Sequence, residues 1–556
     1  MASSVPYHEP SIEVISILSG FLLTLNIVNY GLDKVAFCGL LGQVLLGIAW
    51  GTPGGKLLNS DVENAVMQLG YLGLILIVYE GGLATSFKSM KANLWLSTGV
   101  AMTGIAIPIG LSFTLQPMMG ATPLQAFTAG AALCSTSLGT TFTILGTSGL
   151  SATRLGVVLT SAAMIDDVVG LILVQVVSNL GGDEFDPVIV IRPVIVSLAF
   201  AVVVPVLCRF VVLPATLKLN SMRESSKGSK LASFLKLRQT AFIVHTALLL
   251  ALVIAGTFAG TSSLLAAYVA GAAVSWWDSE VPHVQCMRGS SSEAQGPASD
   301  PEDTQMPSPA TPTSQGSLDS REDGDGLGVE VYDCYYKPVV EYVLKPFFFS
   351  SIGFSVPVTR MFSGPVVWRG IIYTILMTAS KLACGLWLMP FPNPFRGAAK
   401  LVRQASILES KRVPLTPGAQ CAAANEFTSN QEVQPGTRDS QEGMDENSPT
   451  NAPTIRNATP KPDKPKSLYP ASIIGLGMVA RGEIGFLVAS LGESKGIFGH
   501  QSNGLFLVIV WAISLCTMIG PICVGLLVNR VRKLESGRGQ NGGESSRNVL
   551  GAWGVK

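Results

Sequence analysis

Long runs of apolar residues separated by short polar stretches make up most of this chain. A helix needs about 20 apolar residues to cross the hydrocarbon core of a bilayer, and scanning for such runs predicts about thirteen spans. The predicted spans are residues 12–30, 34–51, 64–84, 93–115, 121–147, 155–180, 189–213, 237–259, 262–279, 338–357, 365–389, 468–491 and 503–528. The pattern therefore predicts an all-α polytopic membrane protein.

Two long polar segments interrupt this pattern. Residues 288–327 are rich in Ser, Pro, Gly, Asp and Glu, and residues 396–467 are rich in Pro, Asn, Ser and Gln. Neither has the apolar periodicity needed to bury a core, so we expect both to be disordered cytoplasmic inserts. The predicted organisation is spans one to nine in 1–287, an insert at 288–327, spans ten and eleven in 328–395, an insert at 396–467, spans twelve and thirteen in 468–530, and a cytoplasmic tail at 531–556.

The composition agrees with a membrane protein. Of the 556 residues, 48% are hydrophobic and 13% are charged, whereas soluble domains carry about 25% charge. The nine cysteines are odd in number and have no tight spacing, which predicts neither a zinc site nor a disulfide framework. Since no catalytic triad or metal-ligand cluster is recognisable either, we do not expect an enzyme.

Basic residues in the short loops predict the orientation. Loops after odd-numbered spans are richer in Lys and Arg, with Lys34, Lys88, Lys91 and Arg154 as examples. Cytoplasmic loops carry the excess of positive charge, so the N-terminus is expected outside and the C-terminus in the cytoplasm. The sequence leaves open whether the membrane is the plasma membrane or an endomembrane.

The sixth predicted span carries two adjacent carboxylates, Asp166 and Asp167, near its middle. A charge at membrane depth is costly, and where it occurs it usually marks an ion or proton pathway. Lys381 lies well inside the eleventh span, too far from either end to reach water easily. We expect Lys381 to pair with one aspartate, which leaves one net negative charge for a monovalent cation or a proton.

Two other spans are expected to be broken helices. The fifth contains Ser135, Thr136 and Ser137 before Gly139, and these could offer hydroxyls and freed carbonyls to a cation. The twelfth has glycines at 475, 477, 482 and 485 around Arg481 and Glu483, which could satisfy each other or the freed backbone groups. The alternative for the fifth span is a purely structural role, in which its small residues only permit close helix packing. Interrupted helices in corresponding places, an odd number of spans apart, are typical of inverted repeats that cross at the membrane midplane.

These segments together resemble the monovalent cation/proton antiporter family, in particular its branch with an Asp-Asp motif. The resemblance rests on residues 163–171, on residues 135–137, on Lys381 and on residues 478–485, with Ala480 where proline is frequent. It covers the membrane portion of the chain and not the two inserts, and long inserts of this kind resemble fungal or other eukaryotic versions.

The resemblance implies a homodimer, in which each protomer has a dimerisation domain and a core made of spans four to six and eleven to thirteen. Asp167 would bind the cation, Na⁺ or alternatively K⁺ or Li⁺, or the proton, together with Thr136 and Ser137. Asp166 would pair with Lys381, while Ser135, Arg481 and Glu483 would support the broken helices. Members with two aspartates are generally electrogenic. No cofactor is implied beyond the transported ions, and no nucleic acid.

Two other classes of transport protein stay open at this point. A channel-like K⁺ efflux protein would need a filter, and no Thr-Val-Gly-Tyr-Gly-like sequence is present. An organic-anion or bile-acid-type sodium symporter can share the crossed-helix architecture, but it would more naturally carry Asn, Gln or Glu at the crossing.

Overall fold

The structure is a computed structural model, and it describes most of the chain. The residues outside the description are 1–8, 10, 37, 86–89, 92, 138, 140–144, 147–148, 152, 181–186, 226–237, 281–326, 390–467, 500–503, 540–549, 551–552 and 555–556. The chain divides into two units, 1–389 with 464–556 and 390–463, and the second lies entirely outside the description. The insert predicted at 396–467 and all but the last residue of the insert predicted at 288–327 also lie outside it.

Every regular element in the described part of the chain is a helix. In the first half these are α1 Ile12–Ala36, α2 Gly39–Trp50, α3 Ser60–Leu83, α4 Leu94–Ser112, α5 Leu115–Met119, α6 Pro123–Cys134, α7 Arg154–Asn179, α8 Pro187–Leu207 and α9 Leu213–Ser225. In the second half they are α10 Arg238–Ala259, α11 Ser263–Glu280, α12 Leu327–Tyr335, α13 Lys337–Val339, α14 Lys345–Phe354, α15 Val358–Met361, α16 Gly364–Leu382, α17 Tyr469–Gly477, α18 Glu483–Ser494 and α19 Leu505–Gly539. Short π segments at Cys208–Val212 and Val340–Leu344 and a 3₁₀ turn at Ala383–Leu388 continue the helices that precede them.

Eight of the described helices are long and apolar enough to cross a membrane. They coincide with predicted spans one, three, four, six, seven, eight, eleven and thirteen. Helices are also present at the other five predicted positions, but these are shorter or interrupted. The all-α polytopic fold is therefore confirmed, whereas thirteen complete crossings stay a prediction.

Helix ends differ from the ends of the apolar runs. α1 continues to Ala36 and so includes Lys34, which the pattern places in a loop. α19 continues to Gly539, which lies within the cytoplasmic tail predicted to start at residue 531. Hydropathy marks where a helix leaves the hydrocarbon, but backbone hydrogen bonding can continue through polar residues beyond that depth.

One group of helices packs around α3. α3 lies against α11 and α14, while α2 lies against α14 and α1. The crossing of α3 and α11 is close because Gly82 and Gly271 meet there: a Cβ on either residue would collide with the backbone of the other helix. Small residues at such crossings let two helix backbones approach, which is the usual basis of helix association in a bilayer.

A second group holds the residues singled out from the sequence. α4 packs on α6 and α7, α18 packs on α6 and α7, and α19 packs on α16 and α17. These helices correspond to predicted spans four to six and eleven to thirteen. The fold thus gathers both interrupted helices, the aspartate helix α7 and the lysine helix α16 into one bundle.

Candidate functional site

The first interrupted helix stops abruptly inside the protein. α6 ends at Cys134, and Ser135 has φ −65° and ψ 145°, an extended conformation. Residues 135–137 are all buried. A helix that ends leaves its last carbonyl groups without intrahelical partners, so the break creates acceptors in the interior of the bundle.

The second interrupted helix crosses the first at this point. α17 ends at Gly477 and α18 begins at Glu483, with Gly482 extended between them. The Ser137 N–H donates to the Ala480 carbonyl at 3.0 Å. The Thr136 hydroxyl donates to the Met478 carbonyl at 3.3 Å. The two crossed discontinuous helices predicted from the sequence are therefore confirmed.

Gly482 is required at the crossing for space. A Cβ at this position would lie 2.8 Å from both Cβ and Oγ of Ser137. The φ of Gly482, −137°, is open to any residue, so the backbone conformation does not demand glycine. The close approach of the two extended segments does.

α7 carries both aspartates past the crossing. Thr153 caps its N-terminus by accepting from the Gly156 N–H at 3.2 Å. Successive residues on a helix point about 100° apart, so Asp166 and Asp167 meet different neighbours. Asp166 is fully buried, and Asp167 is 5% exposed.

Asp166 forms an ion pair with Lys381. Lys381 Nζ lies 2.9 Å from Asp166 Oδ2, and both side chains are fully buried. The Thr136 hydroxyl donates to the same oxygen at 2.5 Å. Lys381 also donates to Thr136 Oγ1 at 3.1 Å and to the Cys134 carbonyl. The charge of Asp166 is thus matched directly, as the resemblance implies.

Asp167 has a different environment. Its Oδ1 accepts a hydrogen bond from the Ser135 hydroxyl at 3.2 Å. Within the described residues, no basic side chain lies at ion-pair distance from it. Asp167 is therefore a buried carboxylate beside the freed backbone of α6, and no basic side chain in the described part of the chain pairs with it directly.

Arg481 satisfies the freed backbone groups. Its Nη1 donates to the Ser135 carbonyl at 3.0 Å and to the Cys134 carbonyl at 3.3 Å. The Thr517 hydroxyl donates to the Arg481 carbonyl at 3.0 Å. Of the two partners expected for Arg481, the structure shows the backbone rather than Glu483. Two cations, Arg481 and Lys381, thus lie at the C-terminal end of α6, where the helix dipole is negative.

The three hydroxyl residues have different partners from those expected from the sequence. Thr136, expected beside the ion site, bonds to Asp166, whereas Ser135, expected only as support, bonds to Asp167. Ser137 contributes its backbone N–H at the crossing. Glu483 begins α18, close to the crossing. No sequence signal distinguishes these hydroxyls, because their directions depend on the path of the chain after the break.

Comparison with known proteins gives a family match over the first half of the chain. Residues 19–287 match the family described as sodium/hydrogen exchanger, transmembrane. The chain is 30% identical over 167 residues to the Na⁺/H⁺-K⁺ antiporter GerN of Bacillus cereus, covering 30% of this chain and 42% of that protein. It is 29% identical over 143 residues to the high-affinity Na⁺/H⁺ antiporter NhaS3 of Synechocystis, covering 25% of this chain and 31% of that protein. The chain thus matches less than half the length of these relatives.

The fold extends the similarity beyond these segments. The sodium proton antiporter MjNhaP1 of Methanocaldococcus jannaschii superposes with a TM-score of 0.52 at 12% identity, covering 93% of this chain and 99% of that one. The described helices and their crossing therefore have the fold of this sodium proton antiporter. The chain is thus similar to cation/proton antiporters in sequence over residues 19–287 and in fold over most of its length.

Proposed function

We propose that this protein is a secondary active antiporter that exchanges a monovalent cation for H⁺ across a membrane. The cation is Na⁺, with K⁺ or Li⁺ as alternatives. One observation carries the proposal: Lys381 balances Asp166 at 2.9 Å, while Asp167 has no basic partner among the described residues. Asp167 therefore lacks a directly paired positive charge among the described residues, and a monovalent cation or a proton supplies it.

The burial of Asp167 explains how one residue couples two fluxes. An unpaired carboxylate inside a membrane protein is energetically costly. Asp167 is therefore favoured only with a cation or a proton bound, and it cannot hold both. A carrier that changes its access only when Asp167 is loaded cannot return empty, so net movement of one ion requires the return of the other. We assign Asp167 the role of alternately binding cation and proton.

The neighbours of Asp167 supply the remaining ligands for a cation. The hydroxyl of Ser135 already contacts Oδ1 of Asp167. Small hard cations prefer carboxylate, hydroxyl and carbonyl oxygens, and the extended segments 135–137 and 478–482 bring such groups to the crossing. We assign Thr136 and Lys381 to holding Asp166, and Arg481 to holding the break. Ser137 and Glu483 are proposed as supporting residues.

The relatives favour exchange over the other two transport classes. GerN is named as a Na⁺/H⁺-K⁺ antiporter and NhaS3 as a high-affinity Na⁺/H⁺ antiporter. A channel-like K⁺ efflux protein and an organic-anion symporter receive no support from these matches. We propose a role in cation and pH homeostasis, with no cofactor beyond the transported ions.

The protein is an integral, multi-pass membrane protein, and we propose that it forms a homodimer with its N-terminus outside and its C-terminus in the cytoplasm. α1 buries few of its residues within the protomer and exposes Leu23, Ile27 and Tyr30. Such a helix faces either lipid or a second copy.

We further propose electrogenic exchange, as the resemblance to the Asp-Asp branch implies. One cation and one proton at Asp167 carry equal charge, so the second proton is assigned to the Asp166–Lys381 pair when the pair opens. The proposal predicts that an imposed membrane potential changes the rate.

The experiment is dequenching of a ΔpH-sensitive dye in proteoliposomes. Na⁺, K⁺ or Li⁺ is added to the wild type, to Asp167→Asn and to Asp61→Asn, which alters an exposed carboxylate in the first turn of α3. We expect cation-dependent proton movement in the wild type and in Asp61→Asn, and none in Asp167→Asn. Full exchange in a folded Asp167→Asn protein, or no response of the wild type to any of the three ions, contradicts the proposal.

A further inference from the structure

The outer side of the aspartate helix borders a large apolar cavity. The cavity has a volume of about 480 Å³ and is walled by α7, α8 and α11, with Thr85 at its edge. Pockets that hold drug-sized ligands have volumes of about 300–1,000 Å³. The cavity is therefore much larger than a packing defect, and two of its walls, α7 and α8, are long and apolar enough to cross a membrane.

The walls are almost entirely hydrocarbon. Ile165 and Val168 line the cavity from α7, Val204 lines it from α8, and Leu265 and Val269 line it from α11. Ile165 and Val168 flank the two aspartates in the sequence. Whatever fills the cavity thus packs directly against the segment that presents Asp167.

The walls of the cavity offer water few hydrogen-bond partners. A buried water needs two to four polar partners, and an apolar cavity stays dry. The main hydroxyls at this cavity, those of Thr85 and Tyr268, lie 2.9 Å apart and satisfy each other. Thr85 also donates to the Gly81 carbonyl at 3.1 Å. These groups are already paired and leave little reason for water to enter.

An empty cavity is also unfavourable. The free-energy cost of a void rises with its volume, because the atoms that line it lose their packing partners. In a bilayer the available filler is lipid hydrocarbon, which is the solvent around the spans. An acyl chain can fill the cavity without burying polar groups that lack hydrogen-bond partners.

α8 forms one wall of the cavity, which is partly open to the surroundings of the protein. Ala201 and Val204 line the cavity, while Val202 and Val203 are 58% and 51% exposed on the other side of the helix. Pro205 also lines the cavity, and a π segment follows at Cys208–Val212. Proline and π segments are the usual causes of helix distortion, so the wall is irregular on this side.

From these observations, we propose that the cavity between α7, α8 and α11 binds one acyl chain of a membrane phospholipid. The bound chain inserts past α8 and contacts Ile165 and Val168 of the aspartate helix. This lipid site adjoins the aspartate helix, and the proposal does not depend on which cation is exchanged.

The test is photolabelling of the full-length protein in nanodiscs. The probe is phosphatidylcholine with a diazirine in its acyl chain, and the adducts are mapped by peptide mass spectrometry. We expect adducts on Met164 and Val168, which line the cavity on α7 behind α8. Labelling confined to exposed residues such as Val202 and Val203 in the wild type overturns the proposal.

Two matched variants of α8 sharpen the test. Ala201→Phe with Val204→Trp places bulk inside the cavity, whereas Val202→Phe with Val203→Trp places similar bulk on the exposed side. We expect the α7 adducts to be lost in the first variant and retained in the second. Retention in both, with both proteins eluting as single species, rules out the cavity as their origin. A parallel arm uses a diazirine-bearing free fatty acid, and labelling by the fatty acid alone rules out a phospholipid as the occupant.

Discussion

Lys381 Nζ lies 2.9 Å from Asp166 Oδ2, and neither side chain is exposed. The two adjacent carboxylates on α7 therefore have different partners. Asp166 is held by a lysine and by the Thr136 hydroxyl, whereas Asp167 has the Ser135 hydroxyl. The chemistry proposed for the site follows from this difference, since only the second carboxylate is left to bind an external ion.

Breaking the buried pair destabilises the protein more than removing it. Lys381→Met or Asp166→Asn alone leaves one uncompensated buried charge, for which we expect a loss of about 3–5 kcal/mol in stability. The double variant removes both charges and should recover most of this loss. Thermal unfolding of the purified protein, followed by size-exclusion chromatography, measures the difference. A double variant as unstable as the sum of its singles would falsify the direct pairing.

The two hydroxyls next to the aspartates should have separable effects. Ser135→Ala removes the donor to Asp167, and a hydrogen bond to a charged group contributes about 1.5–3 kcal/mol. We expect the KM for the cation to rise about tenfold, because 1.4 kcal/mol corresponds to a factor of ten. Thr136→Val removes the donor to Asp166 and should lower stability with a smaller change in KM. Cation titrations of both variants in proteoliposomes test this assignment, and equal KM values would argue against it.

Gly482 should tolerate no side chain at the crossing. Gly482→Ala places a Cβ 2.8 Å from the Ser137 side chain, and overpacking of this kind typically costs about 1–3 kcal/mol. We expect reduced exchange together with lower thermal stability. The matched control is Gly110→Ala in α4, where a Cβ meets no atom within 4 Å. Equal behaviour of the two variants would show that the crossing has room.

Competition at one carboxylate predicts a linked dependence on pH and cation. Protonation of Asp167 excludes the cation, so exchange should fall at acid pH. Raising the Na⁺ concentration should move this acid limb to lower pH, because more cation is needed to displace the proton. Initial rates measured over a pH series at several Na⁺ concentrations provide the test. An acid limb that stays at the same pH at every Na⁺ concentration points to separate sites for the two ions.

Arg481 should be difficult to replace by lysine. Nη1 of its guanidinium donates to both the Cys134 and the Ser135 carbonyl in a fully buried place. A lysine ammonium is more strongly hydrated than a guanidinium, so burying it there costs more. We expect Arg481→Lys to lose most exchange although the charge is retained. Transport assays beside a matched change on the protein surface, Arg360→Lys in α15, check the prediction. Near-normal exchange in Arg481→Lys would mean that charge alone is enough.

The sequence by itself determined the class of the fold and the identity of most site residues. Apolar runs of bilayer length specify spanning helices, because a helix pairs all the backbone N–H and C=O groups of one segment without water. Asp166, Asp167, Lys381 and Arg481 stand out because ionisable residues are costly at that depth. The glycines around Arg481 and the hydroxyl residues before Gly139 indicate the two breaks.

Only the tertiary structure decided which group serves which aspartate. Lys381 and Asp166 are more than two hundred residues apart, and their pairing depends on how α16 packs against α7. Ser135 and Thr136 are adjacent, yet they bond to different carboxylates because the chain is extended after Cys134. The apolar cavity beside α7 likewise has no sequence signature, since its walls are ordinary Val, Ile and Leu. Hydropathy records how deep a residue lies in the membrane, whereas the direction of each side chain is set by contacts between helices distant in sequence.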